Sequence, residues 1–437
     1  MSRFNRLSVL VLAILVASAS PVWAQYIGYV YPAGGQQGAT FPIRLGGQAF
    51  RDASDVVVTG EGVSVRVVDY YRVWNNQEMG LLRQQLNELQ KKESTVGDVM
   101  AAKMAWFEFP APIGPEKEPA ATAATDGPAP SEKEVAKKNL IDRIQRLFAE
   151  DERTAAVPAH MELVFAEVTV APDAKPGRRE IRVITKRGIS NARPFYVGQV
   201  PEVARKAMKT VQKPVLGKEY LTQSRRPPAE EEMSVTVPCT TNGQIAAGDV
   251  NRYRFPASKG QRLVISAKAQ QLIPYVADGV PGWFQAVLRL HDSGGKELAY
   301  NDDFRFHPDP VLYFEVPEDG EYVLTINEAL FRGRESFVYR ITIGELPFVT
   351  SIFPLGGRVG EPVTIEMDGW NLENATLVPP PKDAKPGHHL IAATNGNLVS
   401  NYVPFALDTL PECLDNDSND EPSKAQKVSL PIIVNGR

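Results

Sequence analysis

The feature that most constrains this chain is that it repeats itself. Pro32-Ala33-Gly34-Gly35 returns as Pro354-Leu355-Gly356-Gly357, and at the same spacing Gly38 returns as Gly360, Ile43 as Ile365 and Gly47 as Gly369. A second block, Asp173-Ala174-Lys175-Pro176-Gly177, returns as Asp383-Ala384-Lys385-Pro386-Gly387. At that second spacing Ser190-Asn191 matches Ser400-Asn401, Pro194-Phe195 matches Pro404-Phe405 and Pro201-Glu202 matches Pro411-Glu412. Spacings held over many positions mark one domain type used twice. The copies lie at 26–200 and 348–410, and the first carries a long insertion at about 72–155.

The repeat unit reads as all-β. Phe41, Ile43 and Leu45 alternate with polar or small neighbours, the period of a half-buried strand. Val56-Val57-Val58 and Val63, Val65, Val67 flank Gly60-Glu61-Gly62, which predicts a hairpin. Lys175-Pro176-Gly177 is a turn, because Pro presets φ and Gly accepts positive φ. Short strands at close spacing predict a sandwich.

The insertion has a different period. Leu81, Leu82, Leu86 and Leu89 form one helical stripe over 74–92. Val135, Leu140, Ile141, Ile144, Leu147 and Phe148 form another over 131–150, where Ser131 and Glu134 fit a capping box. Two such helices predict an antiparallel hairpin projecting from the sandwich. We favour a tolerated insertion whose stripes satisfy each other over a partner-binding arm. The Pro- and Ala-rich 110–130 between them cannot bury enough apolar surface to offset its ordering entropy, which predicts disorder.

Residues 204–232 are charged and Pro-containing and read as a linker. Strand alternation resumes over 233–346, in Tyr253-Arg254-Phe255, Leu263-Val264-Ile265, Val287 to Leu290, Tyr322 to Ile326 and Val338 to Ile343. Ser258-Lys259-Gly260, Asp292-Ser293-Gly294-Gly295 and Glu318-Asp319-Gly320 supply the turns. The fold class is therefore mainly β: tandem β-sandwich domains, Ig-like and jelly-roll-like, with a helical-hairpin insertion in the first.

The middle domain also carries an ordered series of motifs. They are Asn242-Gly243, Gly248-Asp249-Val250-Asn251-Arg252-Tyr253-Arg254-Phe255, Lys259-Gly260-Gln261-Arg262-Leu263, Leu290-His291-Asp292, Asn301-Asp302-Asp303 and Asp319-Gly320-Glu321-Tyr322. In order and spacing it resembles the bacterial pre-peptidase C-terminal domain family. That resemblance implies a jelly-roll-like accessory sandwich attached to secreted hydrolases, chiefly peptidases. Asn251 stands where the family usually has Asp, and the family's acidic lead-in is replaced by Ala229-Glu230-Glu231-Glu232. Such a lead-in does occur at Asp415 to Pro422, and Leu430-Pro431 to Asn435-Gly436 then echoes Val237-Pro238 to Asn242-Gly243. So 411–437 reads as a linker and the first strand of an incomplete second domain of this kind. The 26–200 and 348–410 units, with their Pro-x-Gly-Gly opening and closing Ser-Asn and Pro-Phe, resemble immunoglobulin-like domains of the IPT/TIG type.

Residues 1–24 read as a secretory signal peptide: Arg3 and Arg6 precede the apolar run Leu7 to Val16, and Val22-Trp23-Ala24 offers a cleavage site. The run is too short to span a membrane comfortably, and no later segment is long and apolar enough. The expected location is secreted or periplasmic, at the cell envelope. With 48 Lys+Arg against 52 Asp+Glu, the net charge of −4 excludes a generally basic nucleic-acid binder.

No nucleophile elbow, zinc-protease helix or phosphate loop is present. His388 and His389 are adjacent and read as exposed loop residues, since strand neighbours face opposite sides. Cys239 and Cys413 read as unbridged, because two separate domains would have to meet. The best ligand-like cluster is Asn301, Asp302 and Asp303, whose oxygens suit calcium. The competing reading is an Asx-turn, which we favour. Trp283-Phe284 and Tyr300 beside it read either as an aromatic binding face or, preferably, as core. Two functions follow. One is a secreted non-catalytic binding or structural protein for an extracellular or envelope protein or polysaccharide. The other is the N-terminal accessory portion of a larger secreted hydrolase.

Overall fold

The structure is a computed structural model, and it describes residues 25–91, 131–151, 155, 157–214, 220–224, 226–273, 283–416, 419 and 421–437. The signal-peptide segment and the 110–130 stretch lie outside the described residues. Three separate hydrophobic cores form along the chain, each between two layers of strands.

The first sandwich is built from β1 (Tyr26–Tyr31), β2 (Gly34–Gln36), β3 (Thr40–Gln48), β4 (Ala53–Val58), β5 (Val63–Tyr71), β6 (Glu162–Val170), β7 (Gly177–Thr185), β8 (Gly188–Ile189) and β9 (Arg193–Gly198). One sheet runs β1-β3-β6-β5 and the other β2-β9-β7-β4, with β8 beside β7. The expected β4–β5 hairpin is corrected here. β4 pairs with β7 and β5 with β6, so Gly60 and Gly62, both at positive φ, carry the chain from one layer to the other. Alternation shows that a strand has a buried face; it does not say which layer owns the strand.

Ser190 and Asn191 explain why that pair recurs. The Ser190 hydroxyl accepts from Val183 N at 2.9 Å and donates to Asn191 O at 2.8 Å. The Asn191 carboxamide accepts from Ile27 N at 2.7 Å and donates to Ile27 O at 3.1 Å. Ser400 and Asn401 do the same to Ala393 and Val349. Each pair ties the opening strand of its unit to the closing one. Asn191→Ala is expected to cost about 1–3 kcal/mol, because a part-buried N–H and C=O both lose their partner. Urea denaturation checks this, and a cost below a few tenths of a kcal/mol would refute it.

In the insertion, α1 (Asn76–Leu89) and α2 (Glu132–Asp151) form where the stripes predict helices. Ser131 and Glu134 make the predicted capping box, and Asn75 and Glu78 make a second one that the sequence reading did not single out. The hairpin does not stand away from the sandwich. Met79, Leu82, Leu89, Ile144 and Leu147 belong to the same core as the strands. Arg143 donates twice to Asp69 of β5, at 3.1 Å each. Arg44 of β3 pairs with Glu150 at 3.0 Å, and the Tyr71 hydroxyl reaches Asp151 at 3.4 Å. The stripes therefore face the sheet as well as each other.

Past the first sandwich come β10 (Glu202–Ala204), the antiparallel pair β11 (Thr210–Pro214) and β12 (Tyr220–Ser224), and β13 (Glu232–Ser234). The stretch read as linker thus holds strands of its own. Within it Arg205 is buried and donates to the carbonyls of Glu230, Glu231 and Arg252.

The second sandwich adds β14 (Cys239–Gln244), β15 (Asn251–Ala257), β16 (Arg262–Lys268), β17 (Ala286–Asp292), β18 (Glu297–Asn301), β19 (Val311–Glu315), β20 (Gly320–Glu328) and β21 (Val338–Gly344). Its sheets run β10-β14-β21-β16-β19 and β13-β15-β20-β17-β18. β14 is buried at every position: β10 and β21 pair with its two edges, and the Tyr31 hydroxyl of β1 reaches the Asn242 carbonyl at 3.2 Å. At that junction Arg340 donates to both oxygens of Glu202 at 2.9 and 2.7 Å and to Asn242 at 3.1 Å. A side chain at Gly34 would meet Tyr196 O and the Arg340 guanidinium, so the close approach requires glycine.

The last unit comprises β22 (Phe348–Phe353), β23 (Gly356–Arg358), β24 (Glu366–Trp370), β25 (Thr376–Leu377), β26 (Gly387–Ile391), β27 (Ala393–Asn395), β28 (Leu398–Val399) and β29 (Val403–Asp408). β23 pairs parallel with β29 as β2 does with β9. β30 (Glu412–Leu414) then pairs parallel with β31 (Ile433–Asn435), as β10 pairs with β14. Asn435 donates to Glu412 at 2.8 Å, as Asn242 does to Glu202 at 3.1 Å. His388 and His389 lie on β26, which corrects their placement in a loop. Cys239 is buried, Cys413 is half-buried, and both are free.

Candidate functional site

Strand register gathers four loops at one end of the second sandwich. Ala286 faces Glu328, Leu288 faces Asn301, and Gln244 faces Val338. Loops 245–250, 269–285, 302–310 and 329–337 therefore meet there, and residues 274–282 of the second fall outside the described residues.

Two buried carboxylates brace this end. Glu328 is fully buried, and its oxygens accept from Leu330 N at 2.7 Å, Arg332 N at 2.9 Å and the Arg332 guanidinium at 2.6 Å. Asp309 accepts from the backbone N–H groups of Ala269, Gln270 and Gln271 at 3.0, 2.7 and 3.1 Å. Burial raises the Asp309 carboxyl above the usual range, and those N–H groups oppose the rise. Neither residue stands out in the sequence: Glu328 ends a strand and Asp309 lies in a loop of mixed composition.

Apolar side chains are held outward on this braced end. Arg305 and Phe306 both have positive φ, closed by a Phe304–His307 bridge, and Phe306 is fully exposed. Phe331, also at positive φ, is exposed with its neighbour Leu330. Bulky residues rarely adopt that conformation, and it persists only where the surroundings over-determine it. Tyr300 is 46% exposed, and the Arg289 guanidinium lies 5.2 Å from its ring centroid. Phe284, by contrast, is core and stacks on Phe337 at 5.4 Å. The half-buried Trp283 donates to Gln285 at 3.2 Å.

Asn301, Asp302 and Asp303 lie at the rim. Asn301 accepts from Val311 N at 3.3 Å, Asp302 accepts from the Tyr300 hydroxyl at 2.9 Å, and Asp303 is exposed. Burial, with Asp302 beside it, raises the Tyr300 phenol. Asn301 and Asp302 each have an oxygen engaged by the protein's own donors. Among the described residues no three His, Cys, Asp or Glu side chains gather as metal ligands. Asn251 is buried and donates to Gln244 O at 3.0 Å and to the Tyr339 hydroxyl at 2.6 Å, while Arg226 donates to its oxygen. A carboxylate at this position could make none of the donations.

Another apolar surface of this sandwich is covered by the last unit. Phe304, Val264, Val311 and Tyr313 pack against Phe348 and Trp370 of the last unit, with Tyr313 stacked on Trp370 at 5.2 Å. No helix of the described residues is long and apolar enough to cross a membrane.

No protein family matches the chain, and no curated protein does. Among solved structures, the pre-peptidase C-terminal domain of a Bacillus anthracis collagenase is 17% identical. The match covers 27% of this chain and 98% of that one, with a TM-score of 0.21. PliG of Aeromonas hydrophila, a periplasmic inhibitor of g-type lysozyme, is 12% identical over 26% of this chain and 96% of its own, with a TM-score of 0.19. The Bacteroides ovatus protein SGBP-B, solved with a mixed-linkage heptasaccharide, is 8% identical over 68% of this chain and 72% of its own, with a TM-score of 0.14.

Proposed function

We propose that this chain is an extracellular, non-catalytic binding protein that grips a polysaccharide through the aromatic loop end of its second sandwich. The observation that carries this is Phe306, fully exposed on a turn whose two central residues have positive φ. Tyr300, Leu330 and Phe331 are further exposed apolar side chains at the same loop end, where Asp302 and Asp303 supply polar groups. Flat apolar rings beside a few polar groups suit the mixed faces of a sugar polymer. A face built on braced loops also loses little entropy on binding.

In this reading residues 1–24 direct export, on the strength of Arg3, Arg6 and the apolar Leu7 to Val16. The middle unit, 233–346, is of the pre-peptidase C-terminal type, supported by its motif series. The units at 26–200 and 348–410 are of the IPT/TIG type, supported by their shared strand order and Ser-Asn ties. The resemblance of the middle unit also favours a second reading, in which these modules serve a secreted hydrolase as accessory domains.

The test is depletion of the full chain from solution by insoluble polysaccharides: cellulose, chitin, xylan and mixed-linkage glucan. At least one should retain the chain, and Phe306→Ala with Tyr300→Ala should weaken retention about tenfold or more, as for central aromatic contacts. Retention by none of them, or retention indifferent to both substitutions, sinks the proposal.

A further inference from the structure

The first sandwich holds a cleft of its own, lined by residues that no motif singled out. Its volume is about 520 Å³, and Arg51, Arg72, Arg187 and Glu162 are among its walls. Arg51 comes from the turn between β3 and β4, Arg72 follows β5, Glu162 opens β6, and Arg187 lies between β7 and β8. Both sheets thus contribute cations to one concavity.

Among the described residues of these walls the one carboxylate is already engaged. Glu162 Oε2 accepts from Phe50 N at 2.7 Å and from the Tyr70 hydroxyl at 3.0 Å. Burial and Glu162 together raise the Tyr70 phenol, which keeps its proton and stays a donor. Through Phe50, Glu162 also holds the turn that presents Arg51. That turn has positive φ at both Ala49 and Asp52. Alanine seldom takes this conformation, so the turn is held by its surroundings.

The three guanidiniums differ in how far they are neutralised. Arg72 makes two hydrogen bonds to Glu78 and lies over Trp74, 4.3 Å from its ring centroid. Arg51 and Arg187 are exposed, and no ion pair joins either of them to another described residue. The Arg187 guanidinium donates to the Arg51 carbonyl at 3.4 Å, and its backbone N–H to the Thr185 hydroxyl at 3.1 Å. The cleft therefore offers two guanidiniums with no direct ion pair among the described residues, next to a third that is fixed in place, with the Glu162 carboxylate as the opposing charge. A planar guanidinium matches the two oxygens of a carboxylate or phosphate, and this geometry has no counterpart for a neutral ligand.

We propose that this cleft binds an oxyanion, the carboxylate or phosphate group of an anionic ligand, between Arg51 and Arg187. Arg72 forms the fixed wall and Glu162 positions the Arg51 turn. The site is independent of the aromatic face on the second sandwich, and either can fail without the other.

The experiment is calorimetric titration of the full chain at low ionic strength with glucuronate and, separately, with inorganic phosphate. The same titrations are run on Arg51→Gln/Arg187→Gln and on Arg358→Gln, which removes an exposed arginine of the last unit. Saturable binding of either probe is expected, weakened at least tenfold in the double variant and unchanged in Arg358→Gln. The probe that binds more tightly identifies the oxyanion. Both altered side chains are exposed, so the double variant should melt as the parent does, and a melting curve verifies this. Binding of neither probe, or equal binding by the double variant and the parent, overturns the proposal.

Discussion

Replacing Arg143 by methionine is expected to destabilise the first sandwich by about 3–5 kcal/mol. Asp69 and Arg143 keep only 4% and 9% of their side-chain exposure, and two hydrogen bonds of 3.1 Å join them. Removing the cation leaves a carboxylate buried on the sheet surface beneath α2. Arg146 stands 3.8 Å from Asp69 but keeps 40% of its side-chain exposure, so it compensates weakly. The double change Asp69→Leu/Arg143→Met should recover most of the loss, since apolar residues often replace a buried pair at little cost. Because several units unfold in this chain, the readout is hydrogen exchange in α1, α2 and β5 rather than one melting temperature. Wild-type protection of those segments in Arg143→Met would show that the hairpin is docked by its apolar stripe alone.

Arg340 is expected to matter as much, at a different place. Its guanidinium and Glu202 keep 5% and 9% of their side-chain exposure. It joins β10, which leaves the first sandwich, to β21 in the second, with Asn242 of β14 as a further acceptor. Arg340→Met should cost about 3–5 kcal/mol and loosen the junction, exposing 199–238 to limited proteolysis. Arg340→Lys should not rescue it, because one ammonium cannot span both Glu202 oxygens and Asn242. Protease resistance of Arg340→Lys equal to the parent would refute the geometric argument and leave only a charge requirement.

Both pairs are invisible in the sequence for the same reason. Asp69 and Arg143 are separated by the insertion, and Glu202 and Arg340 by most of the second sandwich. Nothing local distinguishes them from the other charged residues of their segments. The buried carboxylates Glu328 and Asp309 share this property, and so do the cleft residues Arg51, Arg72 and Arg187. Each is ordinary in its window and acquires a role only from what folds against it.

Other features were legible because their cause is local. Helix α2 follows from a stripe at 3.6-residue period and a cap at Ser131, and both act within a few residues. The strands of the second sandwich follow from period-two alternation, as in β15, whose buried positions alternate along its length. Ser190-Asn191 and Ser400-Asn401 were legible as a repeat but not as a function. Their purpose, tying the first strand to the last, needs the partner strand to be in place.

The aromatic residues mark the boundary between these cases. Trp283, Phe284 and Tyr300 were grouped by type, and the structure separates them: Phe284 is core, whereas Tyr300 stands out in solvent. Phe306, the most exposed of the large apolar side chains among the described residues, gives no signal, because its outward direction comes from backbone dihedrals in a turn without glycine.

The sequence by itself determined the β class, the two helices and the Ser131 cap of α2. Those depend on periodicity, turn residues and neighbours a few positions away. Tertiary structure alone decided which sheet owns β4 and β5, that the helical hairpin lies on the sandwich, and which charges meet in its interior. It also decided which aromatic and arginine side chains face solvent together. These outcomes depend on contacts between residues far apart in the chain, where a side chain's burial and charge balance are set by its partners and not by its own neighbours.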